Sequence, residues 1–245
     1  MSRFTNLKKQ LGFWKAISFY RKVKRGNLSN LKIDTLARPF TLRNNPFDYA
    51  TFEEVVLNEA YNIPLPFTPK YIIDGGGNIG LTACYLATKY NDATIVTVEP
   101  DYENFKILKS NGSQYPNIKM LQNGIWKKNT NLKIEDSHVG NNAFTVTETN
   151  EDNGATIQAL TIMHIMQQYD MPHIDVLKLD IEGSEKDVFE EGYENWLPKT
   201  KLLIVELHDK MKKGCSRSVF NAVNKYDFSF DIKGENIIFT NNSFK

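Results

Sequence analysis

The sequence predicts an α/β domain built on a mainly parallel sheet, and three observations predict it. Between Tyr71 and Pro100 a short apolar strand breaks into Gly75-Gly76-Gly77-Asn78-Ile79-Gly80, a helical pattern follows, and a β-branched run ends at Glu99. Two later apolar runs, Val176–Leu179 and Leu202–Val205, each run into acidic residues. The chain closes on strand-like segments at 228–232 and 236–240 joined by Lys233-Gly234-Glu235, a hairpin pattern.

Composition bounds what this domain can be. The 245 residues are 41% hydrophobic and 24% charged, enough for one α/β core with a short appendage. A net charge of +1 gives no argument for nucleic acid. Cys84 and Cys215 match no metal-ligand spacing and imply no disulfide framework, which suits a reducing cytoplasm. No apolar run reaches the roughly 18–20 residues of a membrane span, and no signal-peptide core precedes a small-residue cleavage site.

Three segments follow from the pattern: residues 1–33, a cap at 34–69, and the main domain at 70–245. In the first, Arg3, Lys8, Lys9, Lys15, Arg21, Lys22, Lys24, Arg25 and Lys32 all precede the first acidic residue, Asp34. Phe4, Leu7, Leu11, Trp14 and Ile17 follow helical spacing, so a basic amphipathic helix is expected. Such a helix rests on an anionic membrane surface near a lipid-linked substrate, or packs its stripe on the domain or a second subunit. In the cap we expect a strand around Phe40–Arg43, a turn at Asn44-Asn45-Pro46, and a helix near Thr51–Glu59. Tyr49, Phe52 and Tyr61 are available to line a pocket beneath it, although aromatics at such spacings are more often core.

The glycine turn is the first candidate site. Gly75-x-Gly77-x-x-Gly80 satisfies the dinucleotide fingerprint, and Glu99 stands about 20–25 positions on, where nucleotide-binding folds place the acid for a ribose diol. Asp74 opposes a dinucleotide. A carboxylate at that strand end repels a pyrophosphate on the helix N-terminus but pairs with a cationic ligand group, and S-adenosylmethionine has an ammonium and no phosphates.

Further along, Asp101 is a plausible N-cap for a helix at Tyr102–Ser110, and Ile118–Leu121 reads as the third strand. Asn123, Gly124, Ile125 and Trp126 then fall at a strand end, either as the adenine side of the site or as a turn. Asn131–Leu160 reads as short strands and loops that hold the acceptor, with His138, Asn141 and Asn142 as weak candidates beside a solvated-loop reading. After a helix at Ile162–Tyr169, the next strand ends at Asp180, and Glu182 falls near the same edge as Asp74 and Glu99. Lys178 is the ion-pair partner if those acids are structural, and Glu185 suits the start of the following helix. Glu206 and His208 are two apart and share a side of the fifth strand, with Asp209 placed to orient the imidazole. A helix at Ser216–Asn224 precedes the hairpin.

Asp175-Val176-Leu177-Lys178-Leu179-Asp180-Ile181-Glu182-Gly183-Ser184-Glu185 resembles the KIDIEGAE signature of FkbM-family methyltransferases. Asp74–Gly80 resembles that family's DxGANIG, Val98-Glu99-Pro100 its VEP, and Val205-Glu206-Leu207-His208 its late acidic strand, in the same order. The likeness spans roughly Phe40–Phe239. Gly75 and Gly77 depart from it, standing where the family usually has a small apolar residue and alanine.

The resemblance implies a Rossmann-like class I methyltransferase fold, a seven-stranded sheet with its last strand antiparallel, here with an N-terminal helical extension. It implies S-adenosylmethionine bound by Asp74, Gly75, Gly76, Gly77, Asn78, Ile79, Glu99, Pro100, Asn123, Gly124, Ile125 and Asp180. The expected reaction is transfer of a methyl group to a hydroxyl of a cell-surface glycan or natural product. Asp180, Glu182 and His208 are the catalytic candidates, and His138, Glu182, Glu206 and His208 the acceptor contacts. The acids either act as base or hold a divalent metal that lowers the hydroxyl pKa. A nicotinamide-dependent oxidoreductase and a non-catalytic scaffold are the competing readings. The oligomeric state stays open, and a cytoplasmic protein with peripheral membrane contact is the expected setting.

Overall fold

The computed structural model describes residues 7–8, 11–26, 28–135, 145–149 and 156–244. Its centre is a seven-stranded sheet in the order β10-β11-β9-β8-β1-β2-β3. These strands are β1 (Tyr71–Gly75), β2 (Thr94–Val98), β3 (Ile118–Leu121), β8 (Ile174–Leu179), β9 (Thr200–Glu206), β10 (Phe228–Lys233) and β11 (Asn236–Asn241). β1, β2, β3, β8 and β9 pair in parallel, and β11 runs antiparallel to both β9 and β10. The order reverses at β1, which lies between β2 and β8. A ligand crevice is expected at that point, outside the C-terminal strand ends.

Strand alternation divides the core into two layers. Ile72, Ile95, Val176, Leu202 and Ile204 face one way and pack with the N-terminal and cap residues. Ile73, Val96, Leu177, Leu203 and Val205 face the other way, against Ile162, Ile165, Val219 and Ala222. Helices α3 (Leu81–Lys89), α4 (Tyr102–Gly112), α5 (Ile162–Gln168), α6 (Glu185–Val188) and α7 (Cys215–Val223) alternate with the strands as expected. Asp101 does cap α4, its carboxylate accepting from the Asn104 N–H. The described parts of Asn131–Leu160 belong to a second sheet, β4-β7-β5-β6, of β4 (Gly124–Ile125), β5 (Thr130–Glu135), β6 (Thr145–Thr149) and β7 (Thr156–Leu160).

The N-terminal part and cap correct three expectations. Helix α1 (Phe13–Lys24) starts after Gly12, whose φ of +73° interrupts the predicted stripe. Beyond that break Ala16 and Phe19 face inward, while Trp14 is 80% exposed. Phe19 stacks on Phe52 at 5.1 Å and on Phe40 at 6.5 Å, so this face of the helix packs on the cap. Phe40–Arg43 forms no strand; Phe40 makes a single antiparallel bridge to Leu31, and no neighbour continues the ladder. The cap helix α2 (Pro46–Phe52) begins earlier than expected, because Asn45 caps it and Pro46 suits its first turn, and a π-helical turn follows at Glu53–Leu57.

Candidate active site

The sheet register sets four strand ends in a row. Val98, Gly75, Leu179 and Val205 are successive partners across β2, β1, β8 and β9. Glu99, Gly76, Asp180 and Glu206, one residue further on, therefore sit side by side at the edge. The glycine turn is held there by the Gly76 and Gly77 N–H groups, which donate to the Val98 carbonyl at 3.0 and 2.9 Å. At Gly76 φ is +77°, and a Cβ would lie 1.7 Å from the Asp180 carbonyl oxygen. Only glycine fits where these two strand ends come so close.

Lys178 joins the turn to the acids from below. It is 2% exposed, yet its ammonium donates to the Gly75 and Gly76 carbonyls at 3.1 and 2.8 Å. It also lies 3.4 Å from Asp74 Oδ1 and 3.5 Å from Asp180 Oδ2. Burial works against the charge, but Tyr61, Asp74, Asp180 and Glu54 outweigh it and hold the amine well above its ordinary range. Asp74 is fully buried, takes a hydrogen bond from Thr97 Oγ1 at 2.9 Å, and faces Lys178 rather than the cleft.

A cleft opens above the turn. Of the expected cofactor contacts, Gly76, Asn78, Glu99, Pro100, Asn123, Gly124, Ile125 and Asp180 line it. Asp74, Gly75, Gly77 and Ile79 do not; they support the turn from within the core. Trp126 is buried elsewhere, its indole N–H donating to Glu148 at 2.8 Å. Three lining residues carried no signal in the sequence. Asn104 comes from the first turn of α4, and Leu132 and Ile157 come from the second sheet and give the cleft an apolar wall with Val98 and Ile125. Arg43 positions Asn104 by donating to it at 2.7 Å while paired with Asp48.

Glu99 is 5% exposed, and its two oxygens accept from the Asn78 and Asp101 N–H groups at 2.7 and 2.9 Å. Burial raises its pKa to about 7, partly offset by those N–H donors. The Asn104 side-chain amide adds a longer bond at 3.4 Å, and since a carboxylate offers about four acceptor positions, Glu99 still has capacity for a ligand hydroxyl.

His208 gathers the remaining acids. Its Nδ1 lies 3.1 Å from Glu185 Oε1, and its Nε2 lies 3.5, 3.6 and 3.7 Å from Glu182, Glu206 and Asp180. Burial would lower its pKa, but the Glu185 hydrogen bond and these acids raise it to about 9, so it is an imidazolium at neutral pH. Glu182 and Glu206 are each raised to about 7, by burial first and by the Asp180 charge second. The orienting acid is Glu185, not Asp209. Asp209 turns back to accept from the Gly214 and Ser216 N–H groups. Glu185 also braces the strained turn at Glu182 (φ +53°) and Gly183 (φ +95°), accepting from the Ile181 and Gly183 N–H groups at 2.8 Å. His138, Asn141 and Asn142 lie outside the described residues.

One ligand atom each from Asp180, Glu182 and His208 lies within 4.8 Å of the others. This mixed oxygen and nitrogen set could hold a divalent cation only in exchange for the proton on His208.

The strand order, with one antiparallel strand next to the edge and a cleft at the switch point, defines the class I methyltransferase fold. The family model for the methyltransferase FkbM domain matches residues 74–231, and the chain belongs to that family. A hexuronic acid methyltransferase, AglP, from Haloferax volcanii is 29% identical over 136 residues, covering 55% of this chain and 54% of that protein. Methyltransferase 1 of Beauveria bassiana is 24% identical over 159 residues, covering 56% of this chain and 64% of its own length. The chain thus matches between about half and two thirds of each relative. The solved structure of methyltransferase FkbM from Methylobacillus flagellatus superposes with a TM-score of 0.50 at 14% identity, covering 97% of this chain and 57% of that one.

Proposed function

We propose that this chain is an S-adenosylmethionine-dependent O-methyltransferase whose acceptor is a hydroxyl of a sugar, in a cell-surface glycan or polysaccharide. One observation carries the cofactor reading. The described residues lining the cleft include three carboxylates, Glu99, Asp180 and Glu182, and no lysine or arginine. A pyrophosphate would be repelled there, which counts against a dinucleotide; a ligand bearing a sulfonium and an ammonium is attracted.

S-Adenosylmethionine, when bound, supplies a methyl group already activated on sulfur. The chain's own task is to bind, align and move one proton. Glu99 would hold the ribose through its hydroxyls, and Val98, Ile125, Leu132 and Ile157 would offer the base an apolar wall. Glu182 lines the cleft with a carboxyl whose pKa is raised to about 7 and, unlike Glu99, has no described backbone N–H holding its oxygens, so we assign it as the general base that takes the acceptor's hydroxyl proton. His208 already holds its own proton. Its role here is to keep Glu182, Glu206 and Asp180 together at close range, with Glu185 fixing the ring.

The setting we propose is the cytoplasm, with the N-terminal helix touching an anionic membrane. No described helix is long and apolar enough to cross a membrane. Trp14 and Phe13 face outward from α1 beside its basic residues, the surface such a contact would use. Calorimetric titration with S-adenosylmethionine and with NADH tests the cofactor reading; binding of NADH alone would replace it with an oxidoreductase.

A further inference from the structure

We infer that the acceptor site excludes anionic sugars and takes a neutral or amine-bearing glycoside, an inference that rests on the methyltransferase reading and fixes its substrate class. We place the acceptor beyond the cleft, between the π-helical turn of the cap and the end of β9, where Glu54 lies within electrostatic reach of Asp180 and Glu206. Glu54 is anchored there, its Oε1 3.3 Å from the Tyr61 hydroxyl, and the Tyr61 ring lies 5.8 Å from the Lys178 ammonium. From Lys178 the polar chain continues to Asp180 and on to His208, where Glu182 and Glu206 meet. Glu54, Asp180, Glu182 and Glu206 are all partly exposed, so this wall presents carboxylate oxygens.

A uronate needs a cation, best an arginine fork, to replace its water. Three described cations approach the cleft or this wall in the contacts above, and each is already engaged. Lys178 is buried and holds two carbonyls and two acids. His208 points Nδ1 at Glu185 and Nε2 at three carboxylates. Arg43 is held by Asp48 and Asn104. The ring hydroxyls of a neutral sugar, by contrast, are donors for these acids, and an ammonium pairs with them. The acceptor class therefore differs from the one named for the Haloferax volcanii relative.

The test uses the 245-residue chain saturated with S-adenosylhomocysteine at pH 8, where Glu182 and Glu206 are ionised, with methyl glucoside, methyl glucosaminide and methyl glucuronide as probes in saturation-transfer NMR. The glucoside or glucosaminide should bind about tenfold or more tighter than the glucuronide. Glu54→Gln and Glu206→Gln should each narrow that gap. Equal or tighter glucuronide binding, with or without magnesium ion, overturns the inference, as does failure of both the glucoside and glucosaminide to bind. Calorimetry with S-adenosylhomocysteine on the same sample separates the two readings. If it does not bind, the methyltransferase proposal fails, while the charge preference is still scored on the free protein.

Discussion

Glu185 and His208, 23 residues apart in sequence, meet at 3.1 Å between a fully buried carboxylate oxygen and the imidazole Nδ1. The contact ties the turn after β8 to the end of β9 and keeps His208 protonated. Glu185→Gln leaves an acceptor oxygen for the turn but removes the charge. The His208 pKa should then fall from about 9 toward the ordinary 6.5, read by imidazole NMR titration. An unmoved titration would show that the other three acids hold the proton.

Glu182 should set the acidic limb of activity. Its folded pKa of about 7 means the base is protonated and idle below that value and becomes available as pH rises through it. Methyl transfer to the best glycoside of the panel should rise about tenfold per pH unit below 7 and level off above it. Glu182→Gln should abolish the limb and lower kcat by about 100-fold or more. A variant that keeps the limb would place the base elsewhere.

Glu206 links stability to pH with the opposite sense from a salt-bridged acid. Its pKa is raised from 4.5 to about 7, so its contribution is fully present below 4.5 and is lost as pH rises through 7. Glu206→Gln should therefore raise Tm relative to the native chain at pH 8 and not at pH 4. The reverse ordering would mean that the ionised form is the favoured one.

Lys178 should matter for folding. Lys178→Met leaves Asp74 buried and unpaired, and breaking such a pair costs about 3–5 kcal/mol in urea unfolding. Adding Asp74→Asn should recover part of that loss. A single-variant loss below about 1 kcal/mol would contradict the assigned pairing.

The outward face of α1 makes the membrane contact testable. Full-length protein should pellet with anionic liposomes, and Trp14→Ser with Phe13→Ser should reduce the pelleted fraction by more than half. Equal, low pelleting of both would remove the membrane from the account.

The residues legible in the sequence were those whose role is local. A glycine turn between a strand and a helix, and acids at the ends of apolar strands, declare themselves within about ten residues, and Glu99, Asp180, Glu182, Glu206 and His208 all reach the same edge. Longer-range partners were hidden. Asp209 adjoins His208, yet its carboxylate serves the turn before α7, while the orienting acid is the first residue of α6, beyond the turn after β8. Phe40–Arg43 has a strand-like pattern but lacks a neighbouring strand to pair with. The apolar wall from Leu132 and Ile157 depends on how the second sheet folds over the cleft, which no local pattern encodes. Lys178 was legible only as an ion-pair partner for the strand-end acids; its hold on the glycine turn needed the register of β1 against β8.

The most direct measurement is isothermal titration calorimetry of the purified chain with S-adenosylmethionine, repeated on Glu99→Ala. Binding that the variant weakens by about 1–3 kcal/mol, the scale of a lost charged hydrogen-bond partner, is the predicted result. No heat with S-adenosylmethionine, or binding indifferent to Glu99, would contradict the placement of the cofactor in this cleft.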